Sequence, residues 1–235
     1  MSRNSAAARL PALPAFVPSE ITVRVEPVLR IHGYRDPERV RSDVREHAER
    51  AVSLANSLLD PIVVYRQVPV ERCDARGLVL EAGIEFESPV FAAYAGGARE
   101  VIVFVLSTGS EFGPQVESFL ATEDVLDALF LETAGWLAIE GATRSFARNL
   151  RDVADRHGWR ITRRLGPGYS YKTERGLVEW GLEDQHRLFA VFGDAPLPVE
   201  LLDSGVMLPK LSRSGLYGLV PRAPDLGKDS VPLRI

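Results

Sequence analysis

The stretch that decides the fold of this 235-residue chain is Asp203-Ser-Gly-Val-Met-Leu-Pro-Lys-Leu-Ser-Arg-Ser-Gly-Leu-Tyr217, together with the earlier Arg164-Leu-Gly-Pro-Gly-Tyr169. A third segment, Glu179-Trp-Gly-Leu-Glu-Asp-Gln-His-Arg-Leu-Phe189, lies between them. The Pro-Gly pair predicts a turn, because proline fixes φ and glycine adopts conformations that a side chain disfavours. On its own, Arg-x-x-Pro-Gly-Tyr describes only a turn with a surface arginine. The order and spacing of all three segments are far more specific.

These segments resemble the activation domain of cobalamin-dependent methionine synthase. The pattern of that family runs R-x-x-P-G-Y, then W-x-L-E-x-Q-x-x-L-F in its stand-alone members, then E-S-x-x-M-x-P-x-x-S-x-S-G. The chain departs from it at one fixed position, where Asp203 replaces the usual Glu. A weaker resemblance, to T-x-G followed by G-S-x-x-V-E, covers residues 106–109 and 134–140. The resemblance spans most of residues 19–220 and is strongest over 164–218.

The resemblance implies a site for S-adenosylmethionine. In that family the arginine and tyrosine of the first pattern and a helical glutamate hold the ligand, and these roles fall to Arg164, Tyr169 and Glu140. The residue types suit the task, since a guanidinium fork can bind both carboxylate oxygens of the ligand and a carboxylate can accept from its ammonium group. No catalytic residue and no metal ligand is expected in the chain. The expected ligand-binding residues are Glu140, Arg164, Gly168, Tyr169, Ser204, Ser214, Gly215 and Tyr217.

The resemblance also implies a function, the reductive methylation that reactivates a corrinoid protein. The family's cobalt-ligating string is D-x-H-x-x-G, and Asp155-Arg-His157 begins it, but Arg160 stands where the glycine is required. The cobalamin is therefore expected on a partner, most naturally a split methionine synthase that lacks its own activation domain. An arginine run at helical spacing is either a solvated face or a docking face for a flavodoxin-like electron donor; it comprises Arg144, Arg148, Arg151 and Arg156.

Two other functions remain open at this point. The chain could dock on a corrinoid-dependent methyltransferase without using S-adenosylmethionine, and Asp203 leaves room for that interpretation. It could also use the same pocket for another small ligand. The individual residues have plain structural interpretations as well, because Glu140 could be a solvated helix carboxylate and the hydroxyls of Ser204 and Ser214 could satisfy strand ends. Gly215-Leu-Tyr217 could be a bulge that packs an aromatic ring.

Composition narrows the class of protein. The chain is 46% hydrophobic and 26% charged, ordinary values for a globular protein, and its formal net charge of −4 gives no reason to expect nucleic acid or an anionic membrane as partner. A single cysteine, Cys73, excludes an intrachain disulfide and any multi-cysteine metal site. No apolar run is long enough to span a bilayer. We therefore expect a cytoplasmic protein.

Hydrophobic periodicity predicts an α+β fold, with helices packed on a twisted sheet that is mixed or antiparallel. The longest helix is predicted from Thr122 to about His157, and the glycines at 135 and 141 inside it require either close packing or a ligand against the backbone. The predicted domain covers residues 19–220, between a flexible arm (1–18) and a loose tail (221–235). The other predicted elements are strands near 21–26, 62–70, 78–86, 100–106 and 199–208, and helices from Asp36-Pro37 and over 182–192.

Overall fold

The chain folds around one antiparallel sheet, seen in a computed structural model that describes residues 14–18, 21–36, 39–174 and 176–222. The helices are α1 (Val25–Ile31), α2 (Ser42–Leu58), α3 (Val90–Ala95), α4 (Phe112–Ala121), α5 (Val125–Arg156) and α6 (Asp184–Ala190). The strands are β1 (Ala15–Phe16), β2 (Ile62–Cys73), β3 (Leu78–Leu80), β4 (Ile84–Phe86), β5 (Glu100–Ser107), β6 (Trp159–Ile161), β7 (Tyr169–Thr173), β8 (Gly176–Trp180), β9 (Glu200–Leu201), β10 (Met207–Leu208) and β11 (Ser212–Pro221).

The sheet is built on its two most buried strands, β5 and β11. Its strand order is β4-β3-β2-β5-β11-β6, and β1 adds to β2. Every pairing in this sheet is antiparallel. The hairpins β7–β8 and β9–β10 stand apart from the sheet. The α+β class and the sheet with packed helices are thus as the sequence predicts, and the pairings resolve its mixed-or-antiparallel alternative in favour of antiparallel.

Side chains on β5 alternate between two hydrophobic cores, as the pleat of a strand requires. One core includes Ile102, Phe104 and Leu106, and helices α1, α2 and α5 cover it. The other includes Val101 and the remaining valines of β5, and α3, α6 and the β7–β8 hairpin cover it. Because β5 is buried on both faces, it appears in the sequence as a continuous apolar run.

The long helix α5 packs closely against Leu211, just before β11, and against Phe112 of α4 at one of its two glycines. A Cβ on Gly135 would lie 2.2 Å from Leu211 Cδ1 and 3.2 Å from Phe112 Cδ1, so close packing explains that residue. Among the described residues, a Cβ on Gly141 would meet only Ile21, at an ordinary contact distance of 3.4 Å. Packing therefore gives no reason for glycine at position 141. The helix ends before Gly158, whose φ is +77°.

Three sequence predictions fail on this side of the sheet. The strand expected near 21–26 is an extended segment followed by α1, because the side chain of Asn56, instead of a strand, satisfies Val23 N–H and C=O at 2.9 and 3.0 Å. Helix α2 begins at Ser42, later than predicted, while Pro37 and Glu38 lie outside the described residues. Helix α5, predicted to begin at Thr122, begins at Val125. Glu123 has a φ of +63°, which interrupts the helical backbone between α4 and α5. Helix α4 itself was not predicted from the sequence.

The remaining differences concern short strands. The strand predicted over 78–86 is two strands, β3 and β4, joined by a 3-10 turn at Glu81–Gly83. The strand predicted over 199–208 is a hairpin of two-residue strands, β9 and β10, while the main strand of this region, β11, follows it. At the chain ends, β1 pairs with β2 inside the predicted arm, and β11 reaches Pro221. Most of the predicted arm and tail lies outside the described residues.

Candidate functional site

The turn at residues 164–169 lies beside β11 and is held there by backbone hydrogen bonds. Leu165 N–H and C=O bond to Leu216 C=O and N–H at 2.9 and 2.8 Å. The Tyr171 hydroxyl accepts from Gly166 N–H at 2.7 Å and donates to Gly166 C=O at 3.2 Å. Gly168, with φ +77°, donates its N–H to Trp180 C=O at 2.7 Å. The predicted Pro-Gly turn is therefore a fixed part of the fold.

Arg164 is held by this turn, and its contacts with the described residues use only part of its hydrogen-bonding capacity. Its Nη1 donates to Ser214 C=O at 3.3 Å, and its guanidinium stacks over the ring of Tyr169 at 4.7 Å from the centroid. A Cβ on Gly166 would lie 2.7 Å from Arg164 Nη1, so the glycine leaves room for the guanidinium. Since a guanidinium carries five donors, Arg164 retains several for a carboxylate.

Glu140, on α5, is joined to Arg213, which sequence analysis did not single out. Arg213 Nη2 donates to Glu140 Oε1 at 2.6 Å, and Arg213 Nη1 donates to Thr143 Oγ1 at 3.1 Å. The Arg213 side chain is 7% exposed, whereas the Glu140 side chain is 47% exposed. A buried arginine needs a partner, so its burial in β11 explains why Glu140 stands at this place on the helix.

The electrostatic field of this region is positive. The hydrogen bond from Arg213 lowers the pKa of Glu140 most, and the charges of Arg213, Arg164 and Arg144 lower it further, against a burial effect that raises it. Glu140 is therefore a carboxylate at neutral pH. Arg164 bonds to the C=O of Ser214 and Glu140 bonds to the side chain of Arg213, so the two predicted ligand-binding residues contact adjacent residues of β11 although they come from a turn and a helix. We call Glu140, Arg164 and Tyr169, together with the buried Arg213 that bonds to Glu140, the candidate site.

Ser214 and Gly215 lie in β11 directly beneath Arg164, and both serve the fold. The Ser214 hydroxyl exchanges hydrogen bonds with the Gln185 amide, accepting from Nε2 at 2.8 Å and donating to Oε1 at 3.1 Å. Gly215 has φ +152°, and a Cβ there would lie 2.3 Å from Leu165 C=O oxygen. Gly215 thus permits the close approach of the turn to the strand.

Tyr217 lies deeper, in the core under the candidate site. Its ring is 3% exposed and stacks on Phe104 at 5.5 Å between centroids. Burial raises the pKa of Tyr217 to about 12, despite the opposing charges of Arg164 and Arg213. Its phenol is therefore neutral at physiological pH. The position of Tyr217 supports the floor of the candidate site more than it offers a surface for a ligand.

Gly168 and Gly205, the neighbour of Ser204, both approach the side chain of Leu182. A Cβ on Gly168 would lie 3.2 Å from Leu182 Cδ1, and a Cβ on Gly205 would lie 3.4 Å from Leu182 Cγ. The Ser204 hydroxyl itself accepts from Val206 N–H at 3.4 Å, within its own turn. The structure thus brings the 203–206 turn beside the 164–169 turn, with Ser204 at its rim.

The middle segment of the sequence pattern, around Trp180, is structural. The Trp180 indole donates to Asp184 Oδ2 at 2.8 Å, and its ring packs edge-on against Phe91 at 4.9 Å. Together with the Gln185 contact to Ser214, these bonds hold α6 against the sheet and against β8. Trp180, Asp184 and Gln185 therefore position the candidate site, whereas Leu182 of the same segment is exposed beside Gly168.

Two cavities in the described part of the chain are lined by residues outside the candidate site. One, of about 510 Å³, is lined by α3 and the end of β7 and contains none of the predicted residues. The other, of about 240 Å³, lies on α5 on the side of Arg144. Across the described ranges, no three histidine, cysteine, aspartate or glutamate side chains are grouped as metal ligands would be. In the same ranges, no helix is both long and apolar enough to cross a bilayer.

Comparison with known proteins identifies the fold. No protein-family model and no curated protein sequence matches the chain. Among solved structures, the MetH reactivation domain bound to AdoHcy superposes with a TM-score of 0.59 over 91% of this chain and 80% of that chain. The two sequences are 14% identical over the match. The chain therefore has the reactivation-domain fold, which confirms the α+β architecture that the sequence predicts.

Proposed function

We propose that this chain binds S-adenosylmethionine at the candidate site and presents its methyl group to a corrinoid held by a partner protein. The observation that carries the proposal is the position of Arg164 in a reactivation-domain fold. Arg164 stacks on Tyr169 and bonds to the C=O of Ser214, one residue along β11 from the Arg213–Glu140 ion pair. The solved domain of that fold is bound to AdoHcy, the demethylated counterpart of the proposed ligand. We transfer the ligand class from that domain as a hypothesis about this chain.

The charges of the candidate site suit the amino-acid end of such a ligand. The free donors of Arg164 would bind the carboxylate as a fork. Glu140 uses Oε1 for Arg213, and a carboxylate has further lone pairs that would accept from the ligand's ammonium group. Tyr169, which is 43% exposed, would offer its ring and hydroxyl to the remainder of the ligand. This arrangement fixes the ligand while leaving one side open.

In the proposed reaction, this chain holds the methyl donor and a partner protein holds the corrinoid. A flavodoxin-like donor would supply one electron to the partner's cob(II)alamin, and the reduced cobalt would attack the sulfonium methyl carbon. A cobalt–carbon bond forms, the carbon–sulfur bond breaks, and S-adenosylhomocysteine leaves as the neutral thioether. This chain's residues would hold and orient the methyl donor and exclude water, while the corrinoid carries the difficult chemistry. The partner we favour is a split methionine synthase without an activation domain of its own.

Calorimetric titration of the purified chain with S-adenosylmethionine tests the binding part of this proposal. We expect saturable heat with S-adenosylmethionine and with S-adenosylhomocysteine, because both share the amino-acid end that Arg164 and Glu140 would hold. Adenosine, which lacks that end, is the matched control and should bind much more weakly. Absence of heat and of any thermal shift at millimolar S-adenosylmethionine would contradict the proposal.

A second function, that of a docking module for a corrinoid-dependent methyltransferase, is favoured by the residues around the candidate site. The Glu140 carboxylate already serves Arg213, and Asp203 replaces the glutamate of the family pattern. Beside these residues several apolar side chains are exposed: Tyr169, Leu182, Val206 and Leu208. Such a surface suits a protein partner. Stable association with the methyltransferase, without any heat from S-adenosylmethionine, would select this function.

A further inference from the structure

The cavity of about 240 Å³ on α5 is lined by three arginines from two parts of the chain. Arg144 and Arg148 lie one turn apart on α5, and Arg24 faces them from the extended segment before α1. All three are exposed, and within the described part of the chain none lies within ion-pairing distance of a carboxylate. Three exposed guanidinium groups line one cavity, and although the Arg144 charge also acts on Glu140, together they create a local positive potential on a chain whose net charge is −4.

The wall opposite α5 is fixed in place. Val23 is 5% exposed, and both of its backbone polar groups bond to the Asn56 side chain on α2, at 2.9 and 3.0 Å. Arg24 follows directly, so its backbone is anchored although its side chain is exposed. The cavity therefore lies between two rigid elements, the segment before α1 and the middle of α5, instead of on a loop.

Gly141 gives an independent reason to look for a ligand in this cavity. It lines the cavity on the same stripe of α5 as Leu137, Arg144 and Arg148, at helical spacing. Glycine in a helix interior is unfavourable by about 1 kcal/mol relative to alanine. Packing does not require it here, since a Cβ would meet Ile21 only at 3.4 Å. The remaining physical reason for glycine is space: a methyl group would occupy volume at the floor of the cavity.

We propose that this cavity is a second ligand site, which binds a small phosphate-bearing anion between Arg24, Arg144 and Arg148. Three guanidinium groups match the charge of a phosphate dianion better than that of a single carboxylate, and their forks suit its tetrahedral oxygens. The volume is below the range of about 300–1,000 Å³ typical of pockets for larger ligands. It therefore fits free phosphate, pyrophosphate or the phosphate end of a larger molecule. The proposal is independent of the S-adenosylmethionine site.

Calorimetry at constant ionic strength tests this proposal with inorganic phosphate, pyrophosphate and glycerol phosphate as probes. Saturable binding is expected for at least one of them, and the comparison tells a free anion from a phosphomonoester. Arg148→Ala should weaken it about tenfold, the loss of one charge-assisted contact. Arg156→Ala removes an exposed arginine of the same helix outside the cavity, and it should leave the affinity unchanged. Because neither residue belongs to the candidate site, both variants should keep the native response to S-adenosylmethionine.

Gly141→Ala distinguishes binding inside the cavity from a general attraction of anions to the protein surface. The substitution should raise Tm by about 2–4 °C through helix propensity, while it weakens phosphate binding by filling the cavity. Equal phosphate affinity in the native chain, Arg148→Ala and Gly141→Ala would overturn the proposal. Equal weakening by Arg148→Ala and Arg156→Ala would also overturn it, because it would reveal nonspecific attraction to a basic face.

Discussion

Arg213 donates to Glu140 at 2.6 Å across 73 residues of sequence, and the two ends of this ion pair differ in burial. The arginine side chain is 7% exposed and the glutamate side chain is 47% exposed. A charge left without its partner is costly when it is buried and much less so when water reaches it. Removal of Glu140 should therefore destabilise the folded chain more than removal of Arg213.

The ion pair therefore predicts unequal effects of two substitutions on the free energy of unfolding. Glu140→Ala strands the buried guanidinium and should destabilise the chain by about 1.5–3 kcal/mol. Arg213→Met leaves Glu140 in contact with water and fills the space of the arginine stem, so we expect a loss of about 1 kcal/mol or less. Urea denaturation of both variants measures the difference. A larger loss in Arg213→Met would mean that the arginine stabilises the fold by some other contact.

Arg164→Lys tests the assigned role of the turn arginine. Lysine keeps the positive charge but lacks the planar fork, so the binding free energy of S-adenosylmethionine should weaken by about 1–3 kcal/mol. Stability should change little, because the turn is held by backbone bonds and by Tyr171. Arg163→Lys is the matched control, since Arg163 stacks over Tyr94 and Tyr171 instead of Tyr169. Normal binding by Arg164→Lys, or unfolding of that variant, would refute the role.

The two glycines of α5 predict opposite changes in stability. Gly135→Ala gains helix propensity but forces a Cβ into Leu211, which is itself buried, so the chain should lose up to about 2 kcal/mol. In the described part of the chain, the methyl group of Gly141→Ala meets only Ile21, at 3.4 Å, so this variant should gain about 0.5–1 kcal/mol. Thermal unfolding of the two variants is the measurement. Changes of the same sign would show that the packing around α5 is not as described.

His32 predicts a pH dependence of stability. Burial lowers the pKa of His32 below its ordinary value of 6.5, while its Nε2 bonds to Thr133 Oγ1 at 2.8 Å. The unfolded chain therefore binds the proton more readily, so the stabilising contribution is complete above pH 6.5 and is lost as pH falls below it towards the folded-state pKa. His32→Gln should reduce the slope of stability against pH in this range. His157→Gln, at an exposed position, is the control; an unchanged slope in His32→Gln would exclude His32 as its source.

Much of the fold could be predicted from the sequence because its signals are local. The apolar run of β5 and the helical spacing in α2 and α5 are set by burial of those segments themselves. Strand β11 escaped prediction because its start, Ser212-Arg213-Ser214-Gly215, is polar and includes a glycine. Arg213, Ser214 and Gly215 are buried in the folded chain because β5, Gln185 and Glu140 supply their partners from distant parts of the sequence.

The candidate site, like the fold, could be predicted from the sequence only where the information is local. The motifs placed Arg164 and Tyr169 correctly in one turn, since that information lies within six residues. They did not reveal Arg213, whose role depends on a helix 73 residues away. Nor could they show that the Ser214 hydroxyl is engaged with Gln185, or that the Tyr217 ring lies in the core. Partners of buried polar groups are a tertiary property, and only the folded chain defines them.

Methyl transfer to a partner-bound corrinoid is the measurement that tests the central claim most directly. A cobalamin-loaded methionine synthase lacking an activation domain would be mixed with this chain, S-adenosylmethionine and a low-potential reductant. We predict conversion of the cob(II)alamin absorption spectrum to that of methylcobalamin, with one S-adenosylhomocysteine formed per cobalamin, and a much slower conversion with Arg164→Lys. Equal conversion rates with and without this chain would contradict the account.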